Sequence, residues 1–159
     1  MIKFITPNYN YQQKFNEMRD ESRSIGEDVS LYGLDSIEKH EALKQYPEYI
    51  PNSVYWILDQ ESDKLIGVVI IRHRLRDEND KNGHIFLIIR PNKRNMGYGT
   101  LAINFAITKC EELGIQNPTL ETQSENINAI RMLENSGCVK TQSYDENGYK
   151  KQTYCPRKF

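Results

Sequence analysis

The sequence predicts a single α/β domain of the α+β type, with a mixed, mostly antiparallel central sheet and helices on both of its faces. Three observations lead to this fold class. Two β-rich runs flank a polar turn, as in an antiparallel hairpin, and a strand–helix–strand passage follows them. Amphipathic segments at helical spacing precede and follow the strands. The length of 159 residues suits one domain over residues 1–159.

The composition limits the classes of partner. Lys and Arg number 21 against 22 Asp and Glu, a net charge of -1, so we expect no nucleic-acid partner and no attraction to anionic membranes. No run approaches the ~20 apolar residues of a membrane span. The three cysteines form no CxxC pair, and an odd number leaves one unpaired in any disulfide scheme. We therefore expect a cytoplasmic protein with reduced thiols and no metal site.

The N-terminal third predicts one strand and two helices. Residues 2–6 suit a short strand, and apolar side chains at helical spacing predict a helix over residues 7–24. A second short helix is predicted over residues 36–46, with Ser36 as its N-cap and Pro47 beyond its end.

Three strands are predicted next. Residues 53–58 and 65–74 form the antiparallel hairpin. The run 85–89 is apolar at every position, so we expect both of its faces to be buried, as in a central strand covered by helices. Pro91 stops its pairing.

The C-terminal half predicts a helix, a strand, a helix and a hairpin. The first helix covers residues 99–113 and ends at Gly114. A strand at 118–122 and a helix at 126–135 follow, and the last hairpin turns across residues 145–148.

The segment RPNKRNMGYGT, between a buried strand and a helix, suits the binding of an anion. Gly97 and Gly99 can adopt positive φ and let a ligand approach the backbone, while the first free N–H groups of the helix act as donors. A diphosphate would gain from the helix dipole and from Arg94. A tight strand-to-helix connection explains the two glycines equally well. A Walker loop is excluded because GK[ST] is absent, and Ala102 replaces the third glycine of a dinucleotide fingerprint.

Two blocks of the sequence resemble one known family. Ile89-Arg90-Pro91 followed by Arg94, Gly97 and Gly99 matches the pattern R/Q-x-x-G-x-G/A after a strand that ends in apolar-x-Pro. The block NINAIRMLENSGC, residues 126–138, is similar to the helix pattern N-x-x-A-x-x-L-Y-E-K-x-G-F. Both patterns are typical of the GNAT superfamily of N-acetyltransferases, which the chain resembles over residues 53–143.

The resemblance implies a GNAT-like fold and acetyl-CoA as a cofactor, lying in a V-shaped gap between the strands at 85–89 and 118–122. Backbone groups of the first strand would bind the pantetheine, and the loop with the start of the helix would bind the diphosphate. Asn126 would hydrogen-bond the pantetheine arm, and it also suits a simple helix N-cap. The implied cofactor-binding residues are Leu87, Ile88, Ile89, Arg94, Asn95, Met96, Gly97, Tyr98, Gly99, Thr100 and Asn126.

The catalytic residues are less well specified. Leu133 stands where the family helix commonly has the Tyr credited with protonating the departing thiolate, which leaves open whether another group or water supplies that proton. Tyr98 and Tyr144 are candidates by the proximity of their segments alone. His73 ends one strand and His84 begins the next, so we expect the two side chains to lie near each other on one face, beside the cofactor strand, with either one relaying the amine proton. The alternative for both is a strand-end histidine bonded to a neighbouring group.

The leading hypothesis is an acetyl-CoA-dependent N-acetyltransferase that acts by direct attack of a primary amine on the thioester. Residues 20–52 are mixed in charge and supply no acidic groove for a basic peptide, so we expect a small-molecule acceptor. The alternatives are a non-catalytic acyl-CoA-binding or regulatory module, and a nucleotide-binding protein that uses the same loop. The sequence leaves open the identity of the acceptor and whether the chain forms a homodimer.

Overall fold

The computed structural model describes residues 1–157 and contains seven strands and four α-helices within them. The strands are β1 Ile2–Ile5, β2 Asn52–Asp59, β3 Lys64–Arg72, β4 Ile85–Ile89, β5 Leu120–Gln123, β6 Cys138–Glu146 and β7 Tyr149–Pro156. The α-helices are α1 Gln12–Ser24, α2 Leu34–Glu41, α3 Tyr98–Glu112 and α4 Ile127–Asn135. The predicted fold class is confirmed. No helix within the described residues is both long enough and apolar enough to cross a membrane.

The strands form two antiparallel sheets, with the orders β1-β2-β3-β4 and β5-β7-β6. The sheets meet at Thr119, whose carbonyl accepts hydrogen bonds from the backbone N–H groups of His84 at 2.8 Å and Ile85 at 3.2 Å. β4 and β5 both begin at this contact and do not pair with each other beyond it. The central sheet is therefore divided by a wedge between β4 and β5.

Each face of the first sheet carries its own hydrophobic core. Successive residues of a strand point to opposite faces, so Trp56 and Ile57 of β2 belong to different cores. On one face, α1 and α2 cover the sheet, and the fully buried Trp56 stacks on Phe15 with ring centroids 4.7 Å apart. On the other face, α3 packs through Ala102, Ile103 and neighbouring residues. The predicted placement of helices on both faces is thus confirmed.

The start of α2 differs from the prediction, and Ser36 is not its N-cap. The helix begins at Leu34, and its N-cap is Gly33, without a side-chain cap. A Cβ added at Gly33 would lie 2.9 Å from the ring of Phe15. The tight approach of α1 therefore favours glycine at this helix start.

β4 is also less covered than predicted, because it is the last strand of its sheet within the described residues and borders the wedge. Phe86 is 47% exposed, while Ile85 and Ile89 at the strand ends are buried. The expectation that both faces of this strand are buried is wrong.

The C-terminal half follows the prediction closely. α3 ends at Glu112, and Gly114 takes the left-handed conformation, with φ of 77°, that closes a helix. The last hairpin turns at Asn147 and Gly148, whose φ values of 52° and 82° suit a type I′ turn.

Candidate functional site

A cavity of about 700 Å³ opens between β4, the N-terminus of α3 and one face of α4. Nine of the eleven residues predicted from the sequence to bind a cofactor line it: Leu87, Ile88, Ile89, Arg94, Asn95, Gly97, Gly99, Thr100 and Asn126. The cavity lies along β4, the strand that borders the wedge, and α3 and α4 form its other walls. The fold thus gathers these residues from three separate elements into one concave surface.

The other two predicted residues, Met96 and Tyr98, do not line the cavity with their side chains. Met96 is 62% exposed, and Tyr98 packs partly against the core under α3. The role predicted for both residues needs only their backbone N–H groups, which lie in the segment that leads into α3.

The N-terminus of α3 has no side-chain cap, because Gly97 occupies the N-cap position with φ of 88°. Nothing lies within 4 Å of a Cβ added there, so this backbone is open to the cavity. The first-turn N–H groups of a 15-residue helix, together with its dipole, form a site that suits an anion.

Gly99 has a different role. A Cβ added at Gly99 would overlap the sulfur of Met132 on α4. The absence of a side chain at this position therefore lets α3 approach α4 closely. Gly99 and Met132 both line the cavity, so this contact lies in its wall.

Arg94 lines the cavity, but its guanidinium is already engaged. Its Nε donates to the carbonyl of Ile89 at 2.8 Å, and both terminal nitrogens donate to the carboxylate of Glu27, which also lines the cavity. Glu27 could not be predicted from local sequence patterns, because it lies 67 residues from Arg94 in the chain. Its carboxylate occupies a face of Arg94 that an anionic ligand would use.

Arg90 is a structural residue. Its side chain is buried, and its Nη1 donates to the carbonyl of Leu65 at 3.1 Å. Its Nε lies 3.2 Å from Glu21 Oε2, although the angle is too bent for a good hydrogen bond. Glu21 and Glu27 thus tie the segment after β4 to the C-terminal end of α1.

Several further residues, not predicted from the sequence, line the cavity from one face of α4. They recur at helical spacing, a signal that could have identified them: Asn128, Ala129, Arg131, Met132 and Asn135. Arg131 and Lys93 bring positive charge to the cavity besides the Arg94–Glu27 pair.

Asn126 is the N-cap of α4, as its simpler interpretation predicted. Its Oδ1 accepts a hydrogen bond from the N–H of Ala129 at 3.1 Å. Because it also lines the cavity, the cap and a contact with a ligand are compatible.

The two histidines do not share a face of the sheet, so the expectation that they lie together is wrong. The N–H of Arg72 donates to the carbonyl of His84 at 2.7 Å, which continues the β3–β4 ladder by one pair. His84 therefore lies on the face of Arg72, and His73, the next residue of the chain, lies on the opposite face. Neither histidine lines the cavity.

Both imidazole rings are held by neighbouring groups. His84 Nδ1 accepts from the N–H of Thr119 at 3.1 Å, which leaves the ring proton on Nε2. Burial, and next the charge of Arg72, lower the pKa of His84. His73 Nε2 lies 2.7 Å from Ser53 Oγ, and burial lowers the pKa of His73.

The residues considered as proton donors lie in different environments. Leu133 is 2% exposed and belongs to the core under α3. The hydroxyl of Tyr144, on the face of the second sheet opposite to the core under α3, donates to the carbonyl of Lys81 at 3.4 Å.

Within the part of the chain that the structure describes, no group of three or more His, Cys, Asp or Glu side chains is placed to hold a metal ion.

Residues 15–138 match the model of the acetyltransferase (GNAT) family. No curated protein sequence matches the chain.

Several solved structures share the fold. A GnaT-family acetyltransferase from Bordetella pertussis has a TM-score of 0.70 at 13% identity, over 98% of this chain and 95% of that one. A mutant form of the spermidine N-acetyltransferase SpeG from Vibrio cholerae has a TM-score of 0.64 at 16% identity, over 98% and 94%. Ribosomal-protein-S5-alanine acetyltransferase from Vibrio fischeri has a TM-score of 0.71 at 11% identity, over 97% and 90%. At these identities the likeness shows the fold alone.

Proposed function

Because the chain belongs to the acetyltransferase (GNAT) family, we propose that it is an acetyl-CoA-dependent N-acetyltransferase that acetylates a primary amine of a small molecule. The observation that carries this proposal is the uncapped N-terminus of α3, which opens at Gly97 onto a cavity that continues along β4. That combination suits a ligand with an anionic end and an extended arm.

The diphosphate of the cofactor would bind at the start of α3. The donors are the backbone N–H groups of residues 95–100, aided by a helix dipole that contributes about 0.3 to 1 kcal/mol. Lys93 and Arg131 supply positive charge, and Arg94 joins them when its guanidinium exchanges Glu27 for a phosphate.

The pantetheine arm would lie along β4. The backbone groups of Leu87, Ile88 and Ile89 border the cavity on the edge of the first sheet, where an extended ligand can bind as an added strand. Asn126 faces the same cavity from the start of α4. The cofactor supplies the thioester, and these residues hold and orient it.

The reaction is a direct transfer in this proposal. Burial raises the pKa of Cys110 and Cys138 to about 11, so both stay neutral thiols and are poor nucleophiles. Backbone N–H groups of β4 would stabilise the oxyanion that forms when the amine attacks. Removal of the amine proton by His84 or His73 stays a prediction, and for His84 it requires the loss of the bond from the Thr119 N–H.

A second function is kept because of Leu133. Its burial in the core leaves α4 without a phenol at the position where the family commonly has one, which is compatible with a protein that binds acyl-CoA without turnover. Water or a backbone donor can compensate, since a thiol like that of cysteine has a pKa of about 8.5, close to neutrality.

The test is titration calorimetry with CoA, followed by thiol release from acetyl-CoA with a panel of primary amines. Spermidine belongs in the panel, since a spermidine N-acetyltransferase shares the fold. Binding with turnover of a small amine supports the enzyme. Binding without turnover of any small amine or basic peptide supports the non-catalytic module, and displacement of CoA by ATP at equal concentration supports a nucleotide site.

A further inference from the structure

A second cavity, of about 520 Å³, lies between α2 and the first sheet. Val54 of β2 and Ile70 of β3, which pair with each other, form its floor on the face that α1 and α2 cover. Among the described residues, it shares no lining residue with the first cavity, at Gly97. Its volume falls within the range of about 300 to 1,000 Å³ that small-molecule sites occupy.

A row of side chains across the sheet leads from one cavity to the other. Val54 pairs with Ile70, and Ile70 pairs with Phe86 of β4, so the three side chains point to the same face. Neighbouring strands lie about 4.8 Å apart, which places Phe86 and Val54 roughly 10 Å apart. Phe86 lines the first cavity, and the other two residues line the second. A ligand of that length can therefore occupy both.

Tyr32 stands between the two cavities. Its ring centroid lies 5.7 Å from that of Phe86, and Tyr32 also lines the second cavity. Its carbonyl accepts a hydrogen bond at 2.9 Å from the indole N–H of Trp56, which is fully buried. This bond fixes the segment before α2 on the sheet. The rings of Tyr32 and Phe86 thus form an ordered aromatic surface that joins the cavities.

The lining of the second cavity suits an apolar group better than a cation. Leu31, Tyr49 and Tyr55 add to its apolar and aromatic surface, and Leu31 is 63% exposed. Glu41 and Lys44 carry opposite charges and pair with each other at 2.8 Å. The carboxylate of Glu41 is thereby compensated, so a polyamine with several positive charges gains little there. An aromatic ring, in contrast, would cover apolar surface.

We propose that the second cavity holds the body of the acceptor, and that the acceptor is a primary amine with an aromatic or bulky apolar body rather than a polyamine. This inference rests on the proposed function, in which the pantetheine runs along β4 from Ile89 toward Phe86, and it names the class of acceptor. The amine nitrogen lies beside Phe86, where it can reach the thioester. The body crosses Tyr32 and covers Leu31 and Val54, about 5 to 10 Å from the nitrogen.

The experiment uses n-butylamine and 4-phenylbutylamine, two acceptors that differ only by a phenyl ring. We expect the kcat/KM of wild type to be about tenfold or more higher for 4-phenylbutylamine, because its ring leaves water for an apolar surface. Spermidine should have a lower kcat/KM than 4-phenylbutylamine. The ratio of the two kcat/KM values is the readout, since general damage to the enzyme lowers both values together.

Val54→Trp fills the second cavity and should reduce this ratio to about one. Val139→Trp is the matched control, because Val139 is also a half-buried strand residue but lines neither cavity. It should keep the wild-type ratio.

A smaller change decides the matter if Val54→Trp does not fold. Leu31→Ala should reduce the ratio about threefold, since the acceptor would lose part of the apolar surface that it covers. Leu43→Ala is its control, because both leucines are exposed residues of single-turn 3-10 helices, and Leu43 lines neither cavity.

Calorimetry with CoA present measures acceptor binding without turnover, because CoA carries no acyl group. Wild type and Val139→Trp should bind 4-phenylbutylamine, and Val54→Trp should bind it about tenfold more weakly. A ratio near one in wild type, the wild-type ratio in folded Val54→Trp, or a higher kcat/KM for spermidine overturns this inference, while turnover of n-butylamine upholds the proposed function. If CoA binds and no amine is acetylated, the proposed function is contradicted and calorimetry decides for the cavity. Binding of 4-phenylbutylamine that Val54→Trp weakens then supports this site, and the absence of binding overturns it.

Discussion

Gly97 and Gly99 lie two residues apart, but they serve different physical purposes. Gly97 is needed for its conformation, since its φ is 88° and an added Cβ would meet open space. At Gly99 the size matters, since an added Cβ would overlap the side chain of Met132 unless that side chain moved. The same pattern in the sequence therefore contains one backbone requirement and one packing requirement.

Replacing Gly97 by Val should lower the affinity for CoA by at least about tenfold while the fold survives. A β-branched residue resists the left-handed conformation, at a cost of roughly 1 to 2 kcal/mol, and its side chain would stand where a phosphate approaches the backbone. Gly114→Val is the matched control, because its φ is 77° and its added Cβ also meets nothing within 4 Å. Both variants should lose similar stability on thermal unfolding, and calorimetry should show weaker CoA binding for Gly97→Val alone. Unchanged CoA binding by a folded Gly97→Val variant would contradict the assignment of this loop.

Glu27 gives a prediction of the opposite sign. Glu27→Gln should raise the affinity for CoA about 3- to 10-fold, a gain near 1 kcal/mol, because a negative charge leaves the cavity and Arg94 becomes available to a phosphate. Glu21→Gln is the control, since Glu21 also contacts an arginine of the same segment but does not line the cavity. Titration calorimetry at two salt concentrations measures the CoA affinity of both variants. Weaker CoA binding by Glu27→Gln would mean that the ion pair holds Arg94 in its binding position.

Among the secondary-structure elements, α4 has two faces with separate tasks. Met132 and Asn128 line the cavity, whereas Leu133 is buried in the core under α3. The helix thus cannot present position 133 to the cavity without rotation. A resemblance in sequence alone equated this position with a residue at the reaction site, and the burial of Leu133 argues against that equivalence in this chain.

Leu133→Tyr should therefore destabilise the protein without supplying a proton donor. A larger side chain and a hydroxyl in a packed core cost about 1 to 3 kcal/mol. Thermal unfolding should show a lower Tm, and kcat should rise by less than about tenfold. Leu133→Phe has nearly the same bulk without the hydroxyl and controls for packing. A more than tenfold gain in kcat with Tyr, absent with Phe, would show that an acid at this position limits turnover.

Across the whole domain, the contact between His84 and Thr119 joins the two sheets. The backbone N–H of His84 donates to the Thr119 carbonyl, and the backbone N–H of Thr119 donates to His84 Nδ1. This reciprocal pair closes the apex of the wedge. It requires a neutral imidazole, because a proton on Nδ1 would remove the acceptor.

The stability of the fold should consequently depend on pH in the mildly acidic range. Burial first, then Arg72, lower the pKa of His84 below its usual value of about 6.5. As the pH falls below that value, the unfolded chain binds the proton before the folded protein does, so the free energy of unfolding decreases. The neutral His84 ring therefore contributes fully to the free energy of unfolding above about pH 6.5. This contribution is lost as the pH falls toward the lower pKa that His84 has in the folded protein.

Urea unfolding at pH 7.5 and 5.5 measures this effect. Wild type should lose stability between the two values, and His84→Gln and His73→Gln should each reduce the loss, since burial also lowers the pKa of His73. His40→Gln, at an exposed position of α2, controls for the loss of a histidine as such. If both variants lose as much stability between pH 7.5 and 5.5 as the wild type does, the two imidazole rings are not the source of the pH dependence. If both variants also keep the wild-type rate and acidic limb of kcat/KM, neither histidine is the base.

Local patterns of residues were enough to predict most of the elements and the start of the anion site. The turn at Asn147 and Gly148, the end of α3 at Gly114 and the conformation of Gly97 follow from local backbone preferences, which neighbouring residues encode. Asn126 as an N-cap is equally local, since its partner lies three residues away. The family's two patterns consist of such local features, and for that reason one sequence was sufficient to recognise them.

Contacts between residues far apart in the chain could be established only from the folded protein. Register places His73 and His84 on opposite faces, packing buries Leu133, and Glu27 reaches Arg94 from another element. These outcomes depend on strand pairing and on the competition of distant side chains for one partner, and no local pattern of residues encodes either.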